Sequence, residues 1–206
     1  MSIATTPEFI DLLIEPRWIA AVDPDVVLKN HAVAVHDGRI IAVLPGGEAR
    51  ERFDPGKRVV LADHILIPGL VNLHTHAAMA LMRGLADDLP LLDWLQKHIW
   101  PAESGNASPQ FVYDGTRLAC AEMLLGGITC FNDMYFFPEA AASAASELGM
   151  RAMLGITALE FPTPYASDAD DYLDKGLAVR EQWLTHPLIG FCLAPHAPYT
   201  VSDASF

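Results

Sequence analysis

Two histidines one residue apart, His74 and His76, close the apolar stretch Pro68-Gly69-Leu70-Val71-Asn72-Leu73. Alternate side chains of an extended strand share a face, so both imidazoles point to one side at the strand's carboxyl end. Two neutral imidazoles facing one point form half of a metal site. Zinc is the expected ion for nitrogen donors, with iron as the alternative. The spacing therefore predicts a metal centre with His74 and His76 among its ligands.

Other groups could join that chemistry. His196 lies between Pro195 and Ala197-Pro198, and the two prolines stiffen its loop. It reads as a third metal ligand or as a substrate contact. Asp133, in Phe131-Asn132-Asp133-Met134-Tyr135, reads equally as an acceptor behind the site or as a structural hydrogen-bonding group. Glu103, after Trp100-Pro101-Ala102, is by itself a surface glutamate. Asp87 and Asp88 read as solvated, and Arg83 as either solvated or functional. Glu160 reads as a cap or an exposed group. His31, His36, His64, His98 and His186 lack metal-like spacing and read as surface or structural. Leu188 to Ala194 contains no lysine, so a pair of metals bridged by a carboxylated lysine is not expected and a single metal is.

The elements that must position these groups fall into two regions. Residues 8–66 read as short strands: Phe9 to Ile14, a hairpin of Ala32 to Val35 and Ile40 to Val43, and Arg58 to Ala62. Asp37-Gly38 supplies the hairpin turn, because both positions tolerate positive φ. Glu48 to Phe53 reads as one or two helical turns. Beyond Pro68 the rhythm becomes strand then helix. The expected strands are Leu66 to His74, Thr129 to Met134, Arg151 to Leu159 and Ile189 to Ala194. The expected helices are Pro109 to Leu125, Pro138 to Leu148 and Ser167 to Thr185, with Ser202-Asp203 opening a fourth. A long connection rich in Asp, Pro and Trp spans Ala77 to Ser108. Repeated βα units imply a parallel sheet. Four units in roughly 140 residues make half of an eight-unit barrel, which takes about 250. An open doubly wound sheet shares the rhythm, but no Gly-rich phosphate loop follows a first strand. The fold class is thus α/β: residues 67–206 as the first four units of a (β/α)8 TIM-type barrel, preceded by residues 1–66 as part of a small β-sandwich.

Composition bounds the function. The net charge of −13 argues against nucleic acid as a partner, since phosphate binding needs a basic footprint. No run of about 18 apolar residues suggests a membrane span, and the N-terminus lacks a secretion signal. A cytoplasmic location is expected. Cys120, Cys130 and Cys192 sit in apolar settings and read as buried free thiols.

The ordered motifs resemble a known family. Pro68 to His76 resembles the first metal motif of the amidohydrolase superfamily. Leu81-Met82-Arg83-Gly84-Leu85-Ala86-Asp87-Asp88-Leu89-Pro90 with Trp94-Leu95 resembles its deaminase and chlorohydrolase branch. Trp100-Pro101-Ala102-Glu103, Gly127-Ile128-Thr129 through Tyr135, and Pro195-His196-Ala197-Pro198-Tyr199 narrow this to the 5-methylthioadenosine/S-adenosylhomocysteine deaminases.

The resemblance implies a barrel plus a β-sandwich built from both chain ends. It makes His74 and His76 zinc ligands, Glu103 the partner of the ribose hydroxyls, and His196 a substrate contact rather than a ligand. It implies hydrolytic deamination of an adenine nucleoside, by metal-activated water, to the inosine analogue and ammonia. The substrate would be the sole expected partner, with room for a homo-oligomer. The family's third metal histidine, metal-binding aspartate and proton-transfer groups have no counterpart up to Phe206, so the catalytic residues are expected beyond it. Gly155 to Pro164 carries no arginine, where some relatives place arginines against the substrate's far end. Two rivals stand beside this reading. One is the same chemistry on a free nucleobase or a triazine. The other is an inactive fragment in the 206-residue chain alone.

Overall fold

The computed structural model describes residues 6–206. They divide after Pro68 into two compact units, the second being Gly69–Phe206.

In the first unit β1 (Glu8–Ala20) is the central strand. One edge pairs antiparallel with β3 (His31–His36) at Leu12–Ile14 and with β2 (Val27–Lys29) at Trp18–Ala20. The other edge pairs in parallel with β5 (Phe53–Leu66). β1 runs well past the expected Phe9 to Ile14. Pro16 masks the continuation in the sequence, and the strand absorbs it at a register shift between Pro16 and Trp18, where a proline's missing N–H does least harm. β5 likewise exceeds the expected Arg58 to Ala62. The hairpin of β3 and β4 (Arg39–Pro45) forms as expected. Asp37 and Gly38 turn it at φ 49° and 69°. A short helix α1 (Gly46–Arg52) follows. Ile10, Leu13, Ala32, Ala34, Leu44, Ala49 and Phe53 close the core.

In the second unit β6 (Leu70–Thr75), β7 (Ile128–Asp133), β8 (Arg151–Ala158) and β9 (Ile189–Pro195) form a parallel sheet in sequential order. A doubly wound sheet reverses strand order at a switch point, whereas a barrel adds each strand beside the last. The sequential order is barrel winding. β6 starts later than expected, because Leu66 still belongs to β5.

The long connection is mostly helical. A 3-10 turn (Ala77–Met82) leads to α2 (Leu91–Trp94), a π turn (Leu95–Ile99) and α3 (Trp100–Asn106). Its Asp and Pro content concealed these short elements. Then come α4 (Pro109–Leu125), α5 (Pro138–Glu147) and α6 (Ala169–Trp183). Ser108 caps α4 by accepting from the Phe111 amide, and Asp168 caps α6 by accepting from that of Asp171. The alanines of α5 pack against the same core as Val112, Cys120, Phe131, Met150 and Leu154. Full burial of each large apolar side chain is worth about 1.5–3 kcal/mol, which fixes the strands whose ends carry the site.

Candidate functional site

His74 lies in β6 and His76 one residue past its end. Their rings meet edge-on, 5.2 Å between centroids. Both neighbours of His76 in the chain are tied to the end of β7. The Asp133 Oδ1 accepts from the Thr75 hydroxyl and from the Ala77 amide, each at 2.7 Å. The Met134 amide donates to the Thr75 carbonyl at 3.1 Å. The Met134 carbonyl lies 2.8 Å from His76 Nδ1. A carbonyl only accepts, so this contact puts the proton on Nδ1 and leaves the Nε2 lone pair free. A backbone acceptor behind an imidazole is the usual support of a metal-binding histidine. The donor set of His74 and His76 thus fits a borderline cation such as zinc.

Asp133, whose sequence context left two readings, is buried. Burial pushes its carboxyl upward, while the Ala77 amide and Thr75 hydroxyl pull it back. It clamps the His-Thr-His segment and is both structural and behind the site.

His76, Glu103 and His196 line one cavity of about 280 Å³, together with Tyr135, Trp100 and Phe161. Glu103 projects from α3, and its Oε1 accepts from the Tyr135 hydroxyl at 2.9 Å. Burial raises its pKa, and the Tyr135 hydrogen bond and the nearby His76 oppose that rise. Read alone, the sequence made Glu103 a surface residue; the structure places it half-buried in the cavity. His196 follows β9, and its Nδ1 lies 2.8 Å from Thr200 Oγ1. Burial, and then His76, lower its pKa and favour the neutral ring.

Sequence reasoning missed two groups, Tyr135 as the partner of Glu103 and the Met134 carbonyl as the partner of His76. Neither leaves a local signal, since each pairs across more than 30 residues.

Other candidates fall away. Asp87 and Asp88 are exposed, and Arg83 forms a paired contact with Glu122 on the surface. Glu160 is held by the Ser202 amide at 2.8 Å. Cys120 is buried, and that burial pushes its thiol up to about 12, so it stays protonated. Cys130 and Cys192 are half-buried rather than buried. His36 is not isolated. With Asp11 and Asp37 it forms the one group of three such donors within ion-sharing distance among the described residues. Asp11 there caps the Asp37 amide of the hairpin turn, a structural role.

Residues 65–206 match the amidohydrolase family. The chain belongs to the amidohydrolase family. Among its amidohydrolase relatives, a 5-methylthioadenosine/S-adenosylhomocysteine deaminase of Saccharophagus degradans is 52% identical over 194 residues, 94% of this chain and 44% of that protein. The crystal structure of an adenosine deaminase from Xanthomonas campestris with bound zinc superimposes with a TM-score of 0.94 at 51% identity, covering 97% of this chain and 46% of that one. An atrazine chlorohydrolase from Arthrobacter aurescens, complexed with zinc, gives 0.81 at 20% identity over 93% and 48% of the two chains. That likeness speaks for the fold alone. The chain spans just under half the length of these relatives. Its second unit is a partial α/β barrel of the amidohydrolase type.

Proposed function

We propose that these residues contribute half of the active site of a zinc-dependent deaminase of adenine nucleosides. The activity is proposed for a protein of the relatives' full length. The observation that carries it is the convergence of His76, Glu103 and His196 on one cavity at the carboxyl ends of parallel strands, where barrel enzymes keep their chemistry. The 51–52% identity to proteins named as such deaminases supports the choice of substrate.

His74 and His76 would hold the zinc. When bound there, the ion supplies Lewis acidity, which makes water a competent nucleophile at neutral pH. The remaining contributions come from side chains. His76 keeps its proton on Nδ1, against the Met134 carbonyl. Glu103, with one carboxylate oxygen held by Tyr135, keeps acceptor sites for the ribose hydroxyls. His196, neutral and braced by Thr200, offers Nε2 to the heterocycle. Fixing ribose and base together places the carbon bearing the amino group, and this positioning lowers the entropic barrier to attack. In the overall reaction water replaces the amino group and ammonia leaves.

The test is to load the full-length protein with zinc and follow the adenine absorbance with 5-methylthioadenosine, adenosine and S-adenosylhomocysteine. Conversion of at least one is expected; no turnover of any would overturn the reading. Glu103→Gln should weaken nucleosides at least tenfold more than free nucleobases, the discrimination of about one charged hydrogen bond. Equal losses would favour a nucleobase or triazine substrate instead.

A further inference from the structure

We propose that Tyr135 is a positioning residue that sets the selectivity for the ribose diol by holding Glu103 in place. The inference rests on the nucleoside reading above. Glu103 sits on a lightly anchored segment. α2 and α3 bury no residue, and the π turn between them buries only Ile99. Tyr135 is the opposite. It is 7% exposed and belongs to the main core of the unit. It follows the end of β7 by two residues, and its ring packs on Phe136 at 4.9 Å. The hydrogen bond from the Tyr135 hydroxyl to Glu103 Oε1 therefore joins a weakly packed helix to the rigid end of the sheet.

That bond has two consequences. It fixes the direction of the carboxylate, which three side-chain torsions would otherwise leave free. It also uses only one of about four lone-pair positions, so the remaining ones stay available to a vicinal diol, which brings two O–H donors. A phenol hydroxyl can donate one proton and here gives it to Glu103. Tyr135 thus acts on the substrate through Glu103.

The experiment uses the full-length zinc enzyme, with adenosine and 2′,3′-dideoxyadenosine, which lacks both hydroxyls. Wild type should favour adenosine through KM. Tyr135→Phe, which keeps the ring and its packing, should raise KM for adenosine by about 10- to 100-fold, the range for one hydrogen bond to a charged group. Its kcat should change by less than about threefold, and its kinetics on dideoxyadenosine by less than about twofold. In a Glu103→Gln background the same substitution should add less than about twofold, since coupled residues are not additive. Glu103→Gln alone reads the pair from its other end and should show the same loss confined to adenosine.

Equal losses of Tyr135→Phe on both nucleosides, or additive losses in the double variant, would overturn the role of Tyr135 while leaving the nucleoside reading intact. A wild type that treats the two nucleosides alike would overturn diol recognition by Glu103 and this inference with it. A wild type inactive on both would overturn the functional reading itself.

Discussion

Asp133 shows how one side chain can serve the fold and the site together. A buried carboxylate must be hydrogen-bonded, and Asp133 meets that demand with the two groups that flank His76. Asp133→Asn removes the charge from both bonds and weakens the clamp. Zinc affinity should fall by about 10- to 100-fold, the usual effect of losing a supporting group behind a metal ligand. Competition against a chromophoric chelator measures it, and unchanged affinity would remove Asp133 from the metal site. Glu103 yields a stability prediction. Its pKa is raised in the folded protein, mainly by burial. A raised carboxyl contributes stability that is full below the unfolded pKa and is lost as pH rises through the folded value. Glu103→Gln does not titrate, so its Tm relative to wild type should climb as pH rises from the ordinary glutamate range through the raised folded value. A gap that stays constant with pH would contradict this.

At the scale of elements, the site depends on how closely α4 packs beneath the 3-10 turn that follows His76. Gly115 makes the approach feasible. A Cβ there would stand 2.4 Å from the Ala78 carbonyl oxygen and 2.8 Å from Ala78 Cα. These are backbone atoms that cannot swing aside, so Gly115→Ala must push the turn away from the helix. Such overpacking costs about 1–3 kcal/mol. A lower denaturant midpoint with an unchanged m-value is expected, and a wild-type midpoint would show that the turn yields freely. Local signals located most of these elements. Ser108-Pro109 and Gly126-Gly127 bracket α4, and Asp37-Gly38 sets the hairpin. The parallel pairing of β1 with β5 left no such signal, because it joins strands more than 40 residues apart. The helices between Leu91 and Asn106 were hidden by their shortness and by prolines at their starts.

For the whole molecule, the apolar residues left in water are informative. Leu70, Val71 and Leu73 on β6 and Leu193 on β9 are exposed, Leu73 to 75%. They lie on the two outer strands of the parallel sheet, and bare strand edges with apolar side chains promote association. The 206-residue polypeptide expressed by itself should therefore elute from size exclusion above its monomer mass of 22.4 kDa, despite its net charge of −13. A monodisperse monomer at micromolar concentration would contradict this. Among the described residues no helix is long and apolar enough to cross a membrane.

The sequence by itself determined what depends on near neighbours. The His74-Thr75-His76 spacing, the caps and stops of the helices, and the alternation of strand and helix all follow from periods of two to four residues. Its ordered motifs also carried the resemblance to amidohydrolases. Only the tertiary structure decided which polar groups are buried and what they face. It placed Glu103, a surface glutamate by its local sequence and a ribose partner only by resemblance, in a cavity beside Tyr135, 32 residues away. It turned Asp133 from an acceptor of uncertain purpose into the clamp on the histidine pair, 56 and 58 residues from its partners. Burial and distant hydrogen bonding are properties of packing, and no local pattern of residues encodes them.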